Sequence, residues 1–195
     1  MLTVDLLRHG ELESGIKYRG QLDDPLTGAG RAAMDAVWEQ LRPSIDRVIT
    51  SPLSRCSEPA LSWANGAGIE CQLDARIAEM YYGQWEGLAA EEIMKRHPGM
   101  LEQWRSNPES VQVPGGESVT QLHDRIAAFW SDIGEKHEGQ HVLLVAHSGS
   151  LRMLIAHVLN APIVSTRHMQ MPYACWSRVV HDNGGNQLVF HNREL

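Results

Sequence analysis

Four side chains suited to phosphate chemistry each stand just beyond a short apolar run: Arg8, His9, Arg55 and His147. Guanidinium groups donate paired hydrogen bonds to phosphate oxygens, and a neutral imidazole nitrogen can attack phosphorus as a nucleophile. In open α/β sheets, ligands bind beyond the carboxyl ends of the strands. If the apolar runs are neighbouring strands, the four side chains converge into a cationic pocket that fits a phosphate.

The apolar runs alternate with segments of helical periodicity. Strands are predicted at residues 2–7, 47–50, 142–146, 173–180 and 187–191, with a hairpin turn at residues 182–185. Helices are predicted at residues 27–41, 52–63, 118–133 and 151–158. Thr27 is the expected N-cap of the first helix, and Ser118 with Gln121 forms a capping box before the third. This alternation predicts a three-layer α/β/α sandwich with a mostly parallel sheet.

Length and composition exclude several classes of protein. The 195 residues predict a single domain over residues 1–195. Seventeen basic and 24 acidic side chains give a net charge of −7, which argues against a nucleic-acid-binding protein or a membrane-surface protein. The three cysteines form no CxxC pair, which indicates reduced thiols in the cytoplasm rather than a disulfide framework or a cysteine zinc site. No apolar run approaches the length of a membrane span.

Residues 88–114 differ from their surroundings. The segment is helical in composition but is broken at residues 98–99 and 107–108. It is therefore expected to be a helical excursion over one end of the sheet, near the pocket. Trp104, Met94 and Met100 are candidates for an apolar lid that selects the substrate, although such residues more often pack a helix onto its domain.

Five ordered blocks make the chain similar to the histidine phosphatase superfamily, which includes the cofactor-dependent phosphoglycerate mutases. The blocks are LLRHGE at 6–11, GQLDDPLT at 20–27 with Gly30, SPLSRC at 51–56, EMYYGQWEG at 79–87 and LVAHSGSLR at 144–152. Within this family the chain most resembles the α-ribazole phosphatases of cobalamin synthesis. The short chain, the YRG at 18–20 that opens the second block and the YGQWEG at 82–87 indicate this.

The resemblance implies a role for each matching position. His9 is expected to be the nucleophile that becomes phosphorylated, and Glu79 the general acid and base. Arg8, Arg55 and a protonated His147 are expected to hold the phosphoryl oxygens without a metal or another cofactor. Gly20 and Ser148 complete the expected phosphate-binding residues. The implied partner is a small phosphomonoester.

One departure from the family pattern concerns the phosphate contacts. Gly15 stands near the position where many members carry an asparagine, and Arg19 stands where the mutases carry a small hydroxyl residue. Arg19 is therefore a candidate for the missing phosphate contact, with a solvated loop arginine as the equal alternative.

Three other functions remain open at this point. A phosphoglycerate mutase would need segments that close over the site, and this chain is shorter than those mutases. A binding module for phosphorylated ligands would not need all five catalytic positions to be filled. A metallohydrolase could use His9, Glu11, Glu79 and His147, but these lack close metal-ligand spacing.

Overall fold

A six-stranded sheet forms the centre of this computed structural model, which describes residues 1–195. Its strands are β1 (Leu2–Arg8), β2 (Arg47–Thr50), β3 (Glu70–Leu73), β4 (His141–Ala146), β5 (Trp176–Asp182) and β6 (Gly185–Arg193). The order across the sheet is β3-β2-β4-β1-β5-β6. The first four strands pair in parallel, whereas β5 is antiparallel to both β1 and β6. The predicted mostly parallel sheet is therefore confirmed.

Helices cover both faces of the sheet. They are α1 (Gly28–Leu41), α2 (Ser54–Ala67), α3 (Ala90–Arg96), α4 (Met100–Ser106), α5 (Val119–Lys136) and α6 (Ser148–Val158). Alternate side chains of β4 point to opposite faces, as the two-residue period of a strand requires. Leu144 packs in the larger core with α5 and α6, and Leu143 packs in the smaller core with α1 and α2. The result is the predicted three-layer sandwich.

The predicted caps are confirmed. The Thr27 side chain accepts a hydrogen bond from the Gly30 backbone N–H at 2.9 Å, which begins α1. Ser118 accepts from the Gln121 N–H at 3.1 Å, and the Gln121 side chain accepts from the Ser118 N–H at 2.8 Å. These bonds occupy donors that the first turn of a helix otherwise leaves unpaired.

The sequence prediction differs from the structure at several elements, including α6, which begins at Ser148 rather than at residue 151. The strand β3 was not predicted, because its sequence ECQL has no apolar run and lies at an exposed edge of the sheet. The helix α2 begins two residues later than predicted because Leu53 stays extended, and it continues to Gly68, which adopts a left-handed conformation. The strand β5 begins only at Trp176, since Ala174 has a positive φ of 55° that interrupts an extended chain.

Residues 88–114, expected to be a helical excursion, contain two short helices, α3 and α4. Breaks fall at residues 97–99 and 107–108, around the predicted positions. Ile93, Leu101 and Val113 are buried in the same core as α5 and α6, so the excursion is packed onto the sandwich along its length. None of the helices has the length and hydropathy that a membrane-spanning helix needs.

Candidate active site

The carboxyl ends of β1, β4 and β2 lie side by side and bring the predicted side chains together. A cavity of about 300 Å³ opens there, and its walls include His9, Arg8, Arg55 and Glu79. This convergence follows from the parallel pairing of the three strands, because parallel strands end at one edge of the sheet.

The imidazole of His9 is arranged as a nucleophile. It is only 5% exposed, and its Nδ1 lies 2.8 Å from the Gly10 carbonyl oxygen. A carbonyl can only accept, so Nδ1 carries the proton and Nε2 keeps a free lone pair. Burial, reinforced by the charges of Arg8 and Arg55, holds the His9 pKa well below its usual value. The ring is therefore neutral at physiological pH, as an attacking nitrogen must be.

His147 lies behind the cavity wall and is fully buried. Its Nδ1 accepts a hydrogen bond from Arg55 Nε at 3.2 Å, so Nε2 carries the proton and donates to Ser51 Oγ at 2.7 Å. Its ring packs edge-on against His9, with centroids 5.3 Å apart. Burial and the charge of Arg55 hold its pKa well below the usual value. The expectation that His147 is protonated is therefore wrong for the free site, because a buried imidazole beside an arginine stays neutral.

Arg55 is fixed by bonds to the second sequence block. It is 2% exposed and donates to the Gly20 carbonyl at 2.6 Å, to the Leu22 carbonyl at 3.0 Å and to Asp23 Oδ1 at 3.3 Å. A Cβ at Gly20, whose φ is +53°, would collide with Glu86 Oε1. Glycine is therefore required at this position. Its carbonyl oxygen accepts from Arg55 and so holds that side chain.

Arg8 is held from the opposite side of the cavity. Its Nη1 donates to the Met171 carbonyl oxygen, and its guanidinium carbon lies 4.0 Å from the centroid of the Tyr173 ring. The Arg8 Nε is buried without a hydrogen-bond partner. Since a buried unpaired donor is costly, this atom is suited to an anionic oxygen of a ligand.

The Glu79 carboxylate lies against the amino end of α6. It accepts backbone N–H bonds from Gly149 at 2.9 Å, Ser150 at 3.1 Å and Met80 at 2.9 Å. A helix amino terminus favours a negative charge through its unpaired N–H groups. A Cβ on Gly149 would collide with Glu79 Oε1, so the glycine permits this approach.

A buttress outside the cavity holds the segment that carries Glu79. Arg125 of α5 donates to the carbonyl oxygens of Arg76 at 2.5 Å, Ala78 at 2.8 Å and Glu79 at 3.1 Å. The same guanidinium forms an ion pair with Glu117 at 2.6 Å. The backbone that carries Glu79 is therefore held by three hydrogen bonds from Arg125, and two further bonds to Glu117 fix the guanidinium itself.

Arg19 lies in the wall of the cavity and is 6% exposed, so it is not a solvated loop residue. Its Nε forms an ion pair with Asp24 at 2.5 Å, and its Nη2 donates to the Gly15 carbonyl oxygen. The arginine thus contacts the very position at which many relatives are expected to carry asparagine. Ser148, the first residue of α6, also lines the cavity.

A second cavity of about 340 Å³, the outer cavity, adjoins the first, which we call the inner cavity. The two cavities share the wall residues Tyr18, Tyr82, Arg105, Gly149 and Arg152. Trp104 lines this outer cavity, whereas Met94 and Met100 line neither cavity. Of the three candidates for an apolar lid, only Trp104 therefore lines a cavity. Met94 is exposed, and Met100 packs on the core.

Positive charge dominates the inner cavity although the whole chain is acidic. Six basic side chains and one acidic side chain, Glu79, stand in its wall. Nowhere in the structure do three or more His, Cys, Asp and Glu side chains group closely enough to hold a metal ion. The cavity thus provides an anion-binding surface beside a neutral imidazole.

Two supporting residues were missed by the sequence reasoning. Ser51 fixes the orientation of the His147 ring, and it stood within the quoted SPLSRC block as a detectable signal. Tyr173 packs against both Arg8 and His9, with ring centroids of Tyr173 and His9 5.6 Å apart. It comes from a loop far along the chain, and nothing in its local sequence marked it.

The fold is an α/β sandwich, and the site is an arginine-lined cavity beside a neutral histidine. Residues 4–194 match the sequence profile of the histidine phosphatase superfamily, branch 1, and the chain belongs to this family. It is a phosphatase-type enzyme, and its sequence is also similar to that of a probable phosphoglycerate mutase.

Relatives with several different names resemble the chain. Phosphoserine phosphatase 1 of Hydrogenobacter thermophilus is 30% identical over 166 residues, covering 84% of this chain and 79% of the relative. A probable phosphoglycerate mutase, GpmB, of Salmonella choleraesuis is 31% identical, covering 92% and 85%. The crystal structure of the α-ribazole phosphatase of Shigella flexneri superposes with a TM-score of 0.89 at 25% identity, covering 98% and 96%. These names share phosphate-ester chemistry and differ in the leaving group.

Proposed function

We propose that the protein is a metal-independent phosphomonoesterase that acts through a phosphohistidine at His9. The observation that carries this proposal is the free Nε2 of a neutral, buried His9 at the floor of an arginine-lined cavity. Arg8, Arg19 and Arg55 are the proposed phosphoryl-binding side chains, with Ser148 beside them. Its three free cysteines fit the cytoplasmic location predicted for the protein.

The first half-reaction transfers the phosphoryl group to the enzyme. His9 Nε2 forms a bond to phosphorus while the ester P–O bond breaks, and the leaving oxygen takes a proton from the Glu79 carboxyl group, whose ionisation the charge of the bound phosphate ester opposes. The positive charge that develops on the imidazole is stabilised by the Nδ1 hydrogen bond to the Gly10 carbonyl. The arginines stabilise charge on the other phosphoryl oxygens.

The second half-reaction releases phosphate. Water loses a proton to the Glu79 carboxylate and attacks phosphorus, and the P–N bond to His9 breaks. His147 holds Arg55 in the phosphoryl-binding position through its Nδ1.

The outer cavity supports an aromatic leaving group. Tyr18, Tyr82 and Trp104 pack edge to face around it, with ring centroids 5.3–6.3 Å apart. Such a wall suits a flat ring joined to a phosphorylated sugar. Together with the resemblance to the Shigella flexneri enzyme, this leads us to propose α-ribazole 5′-phosphate as the substrate, in cobalamin synthesis.

The direct test compares kcat/KM for α-ribazole 5′-phosphate and 4-nitrophenyl phosphate with a chelator present. A dedicated enzyme should prefer the first by several hundredfold, which is about 3–4 kcal/mol of differential transition-state binding. Similar modest rates on both would refute α-ribazole 5′-phosphate as the dedicated substrate. Loss of activity in the chelator would contradict a metal-independent mechanism.

Trp104 provides a test of the aromatic wall. Trp104→Ala should raise KM for α-ribazole 5′-phosphate and leave KM for a small ester such as glycerol phosphate unchanged, since only the larger leaving group reaches the outer cavity. Equal KM values in the variant and the wild type for both esters would refute the role of Trp104.

Arg19 has its own test. Because it lies in the inner cavity, Arg19→Ala should raise KM for every phosphate ester, whatever the leaving group. An unchanged KM for all esters would remove Arg19 from the phosphoryl-binding residues.

Phosphoglycerate mutase activity is a second candidate because of the similarity to GpmB. A mutase must keep water from the phosphohistidine. Here Ile16, in the cavity wall, is 89% exposed, and Lys17 beside it is exposed too. The open mouth favours hydrolysis, and phosphate release should therefore exceed phosphoryl transfer with 3-phosphoglycerate. The opposite ratio would favour the mutase.

A further inference from the structure

The arginines around the outer cavity are not balanced by acidic groups. Arg105, Arg152 and Arg167 stand in its wall, and the wall contains no aspartate or glutamate. Two of these three arginines donate hydrogen bonds to neutral partners. Arg105 donates to the Tyr18 hydroxyl at 2.9 Å, and Arg167 donates to the Ser106 carbonyl at 3.1 Å.

Arg152 differs from these two neighbours. Its Nε is buried without any hydrogen-bond partner. The arginines that do form ion pairs are Arg19, Arg31, Arg42, Arg47, Arg55, Arg76, Arg125 and Arg178. Arg152 is outside this set, although an unpaired guanidinium in a partly buried position loses solvation without compensation. The missing partner is therefore expected to come from a ligand.

The position of Arg152 on α6 indicates which part of a ligand it meets. It lies four residues after Ser148, on the same face of the helix and about 6 Å further along the axis. Ser148 lines the inner cavity alone, whereas Arg152 lines both cavities at their junction. A phosphoryl group bound at His9 would direct its leaving group past this junction.

We propose that Arg152 is a specificity-determining residue that donates to a hydrogen-bond acceptor on the leaving group. The apolar ring wall beside it sets the shape of that group, and Arg152 selects for an acceptor where the group leaves the inner cavity. The acceptor is either a carboxylate, as in phosphoserine, or a neutral oxygen or ring nitrogen, as in α-ribazole 5′-phosphate. This inference rests on the proposed phosphatase function.

The experiment measures kcat/KM of the wild type, Arg152→Met and Arg152→Lys with three esters. The esters are α-ribazole 5′-phosphate, phosphoserine and phenyl phosphate, whose leaving group carries no acceptor beyond the ester oxygen. Arg152→Met should lower kcat/KM about 10- to 100-fold for whichever acceptor-bearing ester the wild type prefers. Phenyl phosphate, whose leaving group offers Arg152 no acceptor, should lose clearly less, and an unchanged far-UV circular dichroism spectrum checks that the variant is folded.

The substrate that shows the loss identifies the acceptor. A loss with phosphoserine that Arg152→Lys partly restores indicates a carboxylate, which a point charge can also bind. A loss with α-ribazole 5′-phosphate that lysine does not restore indicates the neutral acceptor, since the planar fork is then required. Arg42→Met, at an exposed ion pair with Glu39 after α1, is the matched control and should behave as wild type.

Equal losses with all three esters, or no loss with any of them, would overturn the role of Arg152. Either result would show that Arg152 does not select among leaving groups. A wild-type enzyme that hydrolyses none of the three esters would instead overturn the proposed function itself, and the inference would fall with it.

Discussion

The tautomer of His9 determines which of its nitrogens can attack phosphorus. Gly10 accepts from Nδ1, so only Nε2 has a free lone pair. Burial and two neighbouring arginines hold the His9 pKa well below its usual value, so this form persists on acidification. The arginines proposed to bind phosphate thus also keep the proposed nucleophile unprotonated.

This tautomer gives a prediction for NMR. The His9 ring should remain neutral, with its proton on Nδ1, below pH 6.5, where an ordinary histidine is mostly protonated. A titration of the imidazole ¹⁵N resonances, with His9→Asn to assign them, measures this directly. Protonation of His9 at or above pH 6.5 would contradict the described electrostatics.

Arg55 is predicted to tolerate no conservative replacement. Its guanidinium bridges Gly20, Leu22, Asp23 and His147, and a lysine ammonium cannot reproduce these directions. Arg55→Lys should lower kcat by about 10²–10³, the usual cost of losing one positioned donor to the transition state. The measurement is steady-state phosphate release, and a lysine variant within a few-fold of wild type would argue against this role.

At the scale of elements, the amino end of α6 connects the two halves of the site. Ser148 lines the inner cavity, the Gly149 N–H donates to the Glu79 carboxylate, and Arg152 lines both cavities. A single helix therefore fixes the spacing between the proposed positions of the phosphoryl group, the acid and the leaving group.

Gly149 provides the test of this connection. Gly149→Ala places a methyl group against Glu79 Oε1 and should displace the carboxylate, lowering kcat about 10- to 100-fold with little change in KM. The matched control is Gly66→Ala in α2, where an added Cβ meets no neighbour and should stabilise the helix by up to about 1 kcal/mol. An active Gly149→Ala enzyme would show that the close approach is dispensable.

The elements that could be predicted from the sequence are those with strong local signals. The run at β4, the capping box at Ser118 and the turn before β6 all have the predicted form. The edge strand β3 was missed because it is stabilised by pairing with β2 rather than by its own sequence. The protonation of His147 could not be predicted either, since it depends on burial and on the Arg55 contact in three dimensions.

At the scale of the whole molecule, charge is distributed unevenly. The chain carries a net charge of −7, yet the inner cavity has six basic side chains and one acidic one. This separation keeps polyanions away from the bulk surface while a small phosphate ester is attracted to one concave site. It agrees with a small-molecule substrate.

The buried neutral histidines also make the stability of the fold depend on pH. His9 and His147 have folded-state pKa values below 6.5, so the unfolded state binds more protons as the pH falls below 6.5. The free energy of unfolding should therefore decrease between pH 6.5 and 5, by up to about 1.4 kcal/mol per pH unit for each histidine.

Denaturant titrations across this pH range provide the measurement. The wild type should lose stability on acidification, and the double variant His9→Asn/His147→Asn should show a shallower slope. Equal slopes for the two proteins would contradict the buried neutral state of these rings.

The phosphoenzyme is the most direct test of the central claim. The wild type and His9→Ala are mixed with a ³²P-labelled ester in the presence of a chelator, quenched in alkali within one turnover and mapped by mass spectrometry. The proposed mechanism predicts an alkali-stable, acid-labile phosphoryl group on His9, and a loss of several powers of ten in turnover for His9→Ala. Turnover by the wild type with no label on His9, or by His9→Ala at the wild-type rate, would contradict it.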